Sequence, residues 1–166
     1  ALPKTAVITD VGSVKAPVLK VWNKLHPRFV PSHPMAGTNQ SGVNAGTLDL
    51  FKSRPWVVTP NATTEPRAIT IIQQIAEDIG CTWIKTDAEL HDQAVALISH
   101  LPVLISAALL QSLGSVVDPK LIGLAQQLSS SGFEDTSRVG GGNPTLGTSM
   151  AINNRSEILN ALTIYK

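Results

Sequence analysis

Phe29-Val30-Pro31-Ser32-His33-Pro34-Met35-Ala36-Gly37, residues 29–37, is the stretch from which the fold of this 166-residue chain is read. A short apolar run leads into a histidine held between Ser32 and Pro34. A turn of small residues follows, and then a polar loop from Thr38 to Gly46. Proline confines the residue before it to extended backbone, so His33 is expected at the very end of a strand. In open α/β sheets, ligands bind just outside such strand ends. A histidine there can take or give a proton near neutral pH. From these residues alone, a histidine that merely caps a turn reads equally well.

The flanking sequence supplies the alternation that an α/β domain needs. Thr5 to Thr9 is a short β-rich run closed by Asp10-Val11-Gly12. Ser13 stands where a helix N-cap belongs, ahead of an apolar pattern from Val14 to Leu25 with Pro17 in the first turn. Trp56 to Thr59 is a further strand. Pro66 opens a helix whose apolar positions Ile69, Ile72, Ile75, Ala76 and Ile79 keep helical spacing up to Gly80. Thr82 to Lys85 is the next strand, and the whole predicts the parallel part of a doubly wound sheet.

At Thr86 the pattern becomes helical. Thr86-Asp87-Ala88-Glu89 reads as a capping box for a helix from about Asp87 to Leu113, bent at Pro102 and stopped at Gly114. Asp118-Pro119 opens a helix over Lys120 to Ser129. Ser130 to Gly142 reads as irregular, Asn143-Pro144 as a helical turn, and Ser156 as the cap of Glu157 to Tyr165. The expected organisation is an α/β part over residues 1–86 and an all-α part over 87–166.

Composition narrows the functional classes. The chain is 43% apolar and 15% charged, too apolar for disorder. A net charge of +1 gives no electrostatic case for nucleic acid or an anionic membrane, and 4% aromatics make no base-stacking surface. Cys81 is the single cysteine, which excludes an internal disulfide and a cysteine zinc site and suits a cytosolic setting. No metal site is expected. The apolar run Ala94 to Leu110 is broken by Ser99, His100, Pro102 and Ser106. It falls short of the roughly 20 residues a bilayer needs, so a helix buried in protein is expected. No signal peptide opens the chain. It starts without methionine on Ala1-Leu2-Pro3-Lys4 and reads as a piece of something longer.

Candidate chemistry gathers at the strand ends. Asp10 to Ser13 and Ser32 to Pro34 would leave the same edge of a parallel sheet, so Ser13 and His33 can share a site, with a plain N-cap as the alternative for Ser13. Ser99 and His100 are neighbours on a helix and do not face each other, so they are no nucleophile pair, and a hydrogen-bonded core histidine is the default for His100. Arg138 is either a surface arginine paired with Glu134 or Asp135 or a planar fork for a carboxylate. Gly140-Gly141-Gly142 follows no strand and is not a nucleotide fingerprint; the chain contains no G-x-G-x-x-G.

Five segments in register resemble the prephenate/arogenate dehydrogenase family, also called cyclohexadienyl dehydrogenases. They are Asp10-Val11-Gly12-Ser13-Val14-Lys15, then His33-Pro34-Met35-Ala36-Gly37-Thr38 with Ser41-Gly42, then Glu89-Leu90-His91-Asp92. Ser99-His100-Leu101-Pro102 and Gly132-Phe133 through Thr136-Ser137-Arg138 complete the set. The chain looks most like the cyanobacterial arogenate dehydrogenases, which the family associates with NADP. The resemblance implies a Rossmann-like NAD(P)-binding domain, here its C-terminal part, followed by an all-α domain that dimerises and binds substrate.

The activity so implied is oxidative decarboxylation of arogenate to tyrosine with NADP, or with NAD, in a cytoplasmic homodimer. Prephenate going to 4-hydroxyphenylpyruvate is the alternative, and a non-catalytic helical dimerisation fragment a further one. By the same likeness His33 takes the 4-hydroxyl proton, Ser13 positions hydroxyl and nicotinamide, and Arg138 holds the ring carboxylate. Ser99, His100 and Thr38 join the substrate site, and Gly12, Ser13 and Pro34 the cofactor site. Val103 stands where some prephenate-preferring relatives have a second histidine, which favours arogenate. The glycine-rich pyrophosphate loop of the family is not found in these residues, so the fragment alone is expected to be inactive. A β-hydroxyacid-type dehydrogenase is disfavoured, since the helical part offers only Lys120 and Lys166 as its lysine.

Overall fold

The computed structural model describes residues 2–38 and 42–166, and the chain forms two compact units, Ala1–Ala94 and Val95–Lys166. The first unit holds β1 (Ile8–Thr9), α1 (Ala16–Trp22), β2 (Phe29–Val30), β3 (Ser32–Pro34), β4 (Pro55–Val58), α2 (Pro66–Asp78), β5 (Thr82–Lys85) and most of α3 (Ala88–Val95). β1 and β2 pair in parallel, Ile8 with Phe29 and Thr9 with Val30. Pro31 then divides the expected single strand, and β3 pairs with β4 instead. β4 runs parallel to β5, with Trp56 opposite Trp83.

The β3–β4 pair is antiparallel, His33 opposite Val57, where a parallel neighbour was expected. The reason lies in the connection. A parallel partner needs a crossover of a dozen or more residues, usually a helix. Among the described residues between 35 and 54 there is only the 3₁₀ turn Val43–Ala45 and a series of turns. The chain returns alongside itself, and Met35 donates to the Pro55 carbonyl at 2.8 Å. His33 consequently sits in the middle of a three-residue strand and not at a strand end.

α2 is built as its spacing predicts. Ala68, Ile72 and Ala76, four residues apart, form one buried stripe over Val30, Trp56 and Val58. Gly80, at φ +83°, supplies the left-handed residue that ends it. Truncating Ile72 to alanine is expected to cost about 2–5 kcal/mol. α1 is shorter than expected, and its N-cap is Lys15 rather than Ser13.

The second unit contains a π-helical turn (Ala96–His100), α4 (Leu101–Gly114), α5 (Pro119–Leu128), α6 (Ser131–Ser137), α7 (Pro144–Asn153) and α8 (Arg155–Tyr165). Pro102 has no N–H to give to the preceding turn, and its ring crowds the carbonyl four residues back. The helix widens just before it, with the Leu101 N–H reaching the Ala96 carbonyl five residues away. Ala96 and Leu101 pack on Ile158 and Ala161 of α8. Asp118 and Asn143 cap α5 and α7 with their side chains, as their positions before proline suggest.

Two expectations fail in this unit. The segment expected to be irregular contains α6, and the cap of α8 is Asn154, with Ser156 already inside the helix. The glycine run has a packing role. A Cβ on Gly140 would lie 2.3 Å from the backbone of Ser106 and Ala107 in α4. The Gly140 N–H donates to Ser106 Oγ at 2.8 Å, and that hydroxyl donates to the Thr136 carbonyl at 2.6 Å.

The helical stretch Ala88–Gly114 is, by length and composition, the one helix among the described residues able to cross a membrane, with a mean hydropathy of 1.9. Only 28% of its apolar window is buried, less than the buried helix that was expected. Soluble dimer interfaces use helices of the same composition.

Candidate functional site

The site is assembled from the loop after β1, the strand β3 and the start of α3, all within the first unit. Because β1 and β2 are parallel, Asp10 leaves β1 beside the point where the chain passes from Val30 to Ser32. One oxygen of Asp10 accepts the Ser32 N–H at 2.9 Å, and the other accepts the Gly12 N–H at 3.0 Å. That second oxygen also pairs with the Lys15 ammonium, which in turn donates to the Ser32 carbonyl at 2.6 Å. A Cβ on Gly12 would come within 3.0 Å of the same carboxylate, so the turn is closed tightly around it.

Lys15 is fully buried. Burial pushes its pKa below the ordinary lysine value, against the opposing hydrogen bond and charge of Asp10 and the charge of Asp92. Its satisfied ammonium ties the β1–α1 turn to the residue preceding His33.

Behind His33 runs a chain of hydrogen bonds. His33 Nδ1 lies 2.9 Å from His91 Nε2, and His91 Nδ1 lies 2.8 Å from Asp92 Oδ1. The rings of the two histidines meet edge to face, 5.1 Å apart at 76°. His91 and Asp92 are each only 3% exposed, whereas His33 is partly exposed. Asp92 also receives the Lys15 N–H on Oδ1 and the Ala16 N–H on Oδ2, both at 2.8 Å, at the N-terminus of α1. Burial alone would raise its pKa. The hydrogen bonds from His91, Lys15 and Ala16 outweigh that and hold it below the usual carboxylate value.

The structure brings some of the sequence candidates together. Pro34 is buried in β3 next to His33, opposite Trp56. Gly12 and Ser13 lie in the turn that Asp10 and Lys15 fasten to Ser32. Ser13 caps nothing, and among the described residues its hydroxyl makes no hydrogen bond. Thr38 is exposed at the end of a described stretch, and Ser41 lies outside the described residues.

The remaining candidates belong to the second unit. Ser99 is half-buried in the π-helical turn. His100, 1% exposed, has its Nδ1 3.0 Å from the Asn154 amide nitrogen, the core placement its sequence context suggests. Arg138 is the exposed C-cap of α6, and no ion pair with Glu134 or Asp135 forms among the described residues.

Sequence reasoning assigned no role to His91, Asp92 or Lys15. The sequence signal was a His-Asp pair one turn into a helix, where Asp92 can reach another helix's N-terminal amides. Nothing in the local spacing links that pair to residue 33.

Against known families, the chain matches the nucleotide-binding domain of prephenate dehydrogenase over residues 1–85 and its dimerisation domain over residues 87–166. A cyclohexadienyl dehydrogenase of Zymomonas mobilis is 37% identical over 164 residues, which is 98% of this chain and 56% of that protein. The crystal structure of Synechocystis arogenate dehydrogenase superposes with a TM-score of 0.83 at 44% identity, covering 98% of this chain and 59% of that one. Prephenate dehydrogenase of Aquifex aeolicus, in complex with hydroxyphenyl propionate and NAD+, gives a TM-score of 0.91 at 29% identity over 99% of this chain and 57% of that one. The chain thus spans about half the length of the relatives it matches. A Rossmann-like nucleotide-binding part followed by a helical part, matched along its whole length, makes this chain a member of the prephenate dehydrogenase family.

Proposed function

We propose that the intact protein oxidatively decarboxylates arogenate to tyrosine, with His33 as the base that takes the 4-hydroxyl proton. The observation that carries this reading is His33 itself, partly exposed and backed by the buried His91 and Asp92. An imidazole so supported suits proton transfer near neutral pH.

A nicotinamide cofactor, NADP in this reading, supplies the acceptor for the hydride from ring carbon 4. The residues present fit such a group: the edge of parallel β1 and β2 carries the small residues Gly12 and Ser13, and ligands of α/β sheets bind at such edges. Gly12, Ser13 and Pro34 would line the nicotinamide side. Ser13 orients the hydroxyl, and His33 removes its proton as the carbonyl forms. Arg138, an exposed guanidinium at the end of α6, holds the ring carboxylate until it leaves as carbon dioxide. Ser99, His100 and Thr38 complete the substrate contacts in this reading.

Val103, in the first turn of α4 after Pro102, and the 44% identity with the Synechocystis enzyme support arogenate over prephenate. The Aquifex complex with NAD+ supports the second reading, a prephenate enzyme using NAD that forms 4-hydroxyphenylpyruvate. A second copy of the chain is the proposed partner of the apolar helical stretch 94–113, where Leu97 and Ile98 are exposed, in a cytoplasmic homodimer. Initial rates of the intact protein with each substrate and each cofactor test the assignment. Faster reduction of NADP with arogenate is expected, and no turnover of either substrate overturns it.

A further inference from the structure

We propose that His91 and Asp92 are positioning residues that hold His33 in its Nδ1–H tautomer, so that the Nε2 lone pair is the one offered to the substrate proton. This rests on the reading of His33 as the base and names what fixes its state.

With His91 neutral, valence assigns the tautomer once the fixed donors are counted. The Lys15 and Ala16 groups at Asp92 are backbone N–H donors and cannot reverse, so both carboxylate oxygens must accept. An ionised carboxylate has no proton to give, so His91 Nδ1 carries the hydrogen of the 2.8 Å contact. A neutral imidazole has one N–H, which leaves His91 Nε2 as an acceptor. The ring nitrogen facing it at 2.9 Å, His33 Nδ1, must therefore donate. His33 Nε2 is then the unprotonated nitrogen. Burial of His91 and Asp92 keeps solvent from replacing either link.

The surroundings agree with this assignment. His91 and Asp92 come from α3. Asp10 and Lys15 come from the β1–α1 turn and satisfy each other and Ser32. Val57, opposite His33 on β4, has no titratable group. When Nε2 takes a proton, the Nδ1–H of the new imidazolium already points at a neutral acceptor whose own N–H is anchored on a carboxylate. The bond that forms is N–H at His33, and the one that breaks is O–H on the substrate.

Imidazole ¹⁵N spectra of the full-length protein test this directly. The wild type is expected to show a protonated Nδ1 and a bare Nε2 at His33. In Asp92→Asn the amide can donate to His91 Nδ1, which reverses the relay and protonates His33 Nε2. A fall in kcat of about 10²–10⁴-fold with little change in KM should accompany it.

Because that variant also strips an acceptor from α1, His91→Leu and His91→Gln form a second arm. Leu is expected to release the tautomer and lower kcat about 100-fold. Gln, whose amide oxygen still accepts from Nδ1–H, is expected to restore most of the rate and the wild-type spectrum. A bare Nδ1 at wild-type His33, or an unchanged tautomer and rate in His91→Leu, overturns the proposal. Normal turnover in His33→Asn overturns the base reading instead, and leaves the tautomer result standing.

Discussion

Two histidines of this chain follow a serine and stand close before a proline, yet they end in opposite situations. His33, in Ser32-His33-Pro34, lies partly exposed on a three-residue strand and is backed by His91 and the Asp92 carboxylate. His100, in Ser99-His100-Leu101-Pro102, is buried in a π-helical turn and meets the Asn154 amide. A chain ending in a carboxylate can stabilise a positive charge that arrives on the outer ring. The Asn154 amide neither gains nor loses charge, and it gives His100 a neutral hydrogen-bond partner instead. What a histidine can do is thus set by the group behind it more than by its neighbours in sequence.

The largest expected effect separates the two rings. His33→Asn should lower kcat of the intact protein by about 10²–10⁴-fold while its melting temperature stays within a few degrees. His100→Ala should do the reverse to stability, costing about 1–3 kcal/mol by leaving an Asn154 donor behind, read as a lower denaturation midpoint. If His100→Ala melts like the wild type, the contrast between the two sites collapses. Gly140→Ala sharpens it further, since the helical unit alone carries the change. Its Cβ has no room against the backbone of α4, and calorimetry should find a loss of about 1–3 kcal/mol.

The acid limb of stability tests the carboxylate end of the chain. Asp92 has a folded pKa below its unfolded value of about 3.9. Between those values the unfolded chain binds more protons, so the contribution of Asp92 is complete above about pH 4 and is lost as pH falls through the folded value. Asp92→Asn should be less stable at neutral pH by about 1–3 kcal/mol and should show a shallower decline in acid. Parallel acid slopes for the two proteins would show that Asp92 is not held as described. The smallest effect belongs to Ser13→Ala. With no capping bond to lose, its unfolding free energy should move by less than about 0.5 kcal/mol, whereas a true N-cap would lose about 1.

Local chemistry made much of this legible. The stripe Ala68, Ile72, Ala76, the stop at Gly80 and the caps at Asp118 and Asn143 each depend on residues within one or two turns of one another. α6 was missed because Ser131, Gly132 and Thr136 are poor helix formers; its seven residues are fastened instead through the Ser106 hydroxyl, thirty positions away in sequence. Ser13 was misread for the opposite reason. Its type suits a cap, but the first turn of α1 is satisfied by Asp92 from α3.

By itself, the order of residues determined the succession of strands and helices, the change to helix after residue 86, and the position of His33 as a candidate base, because periodicity, proline and capping act over a few residues. Tertiary structure alone decided the antiparallel turn of β3 onto β4, the glycine contact of Gly140 with α4, and the line from His33 through His91 to Asp92. Those features join atoms far apart along the chain, and only burial and the obligation to pair every buried donor and acceptor bring them together.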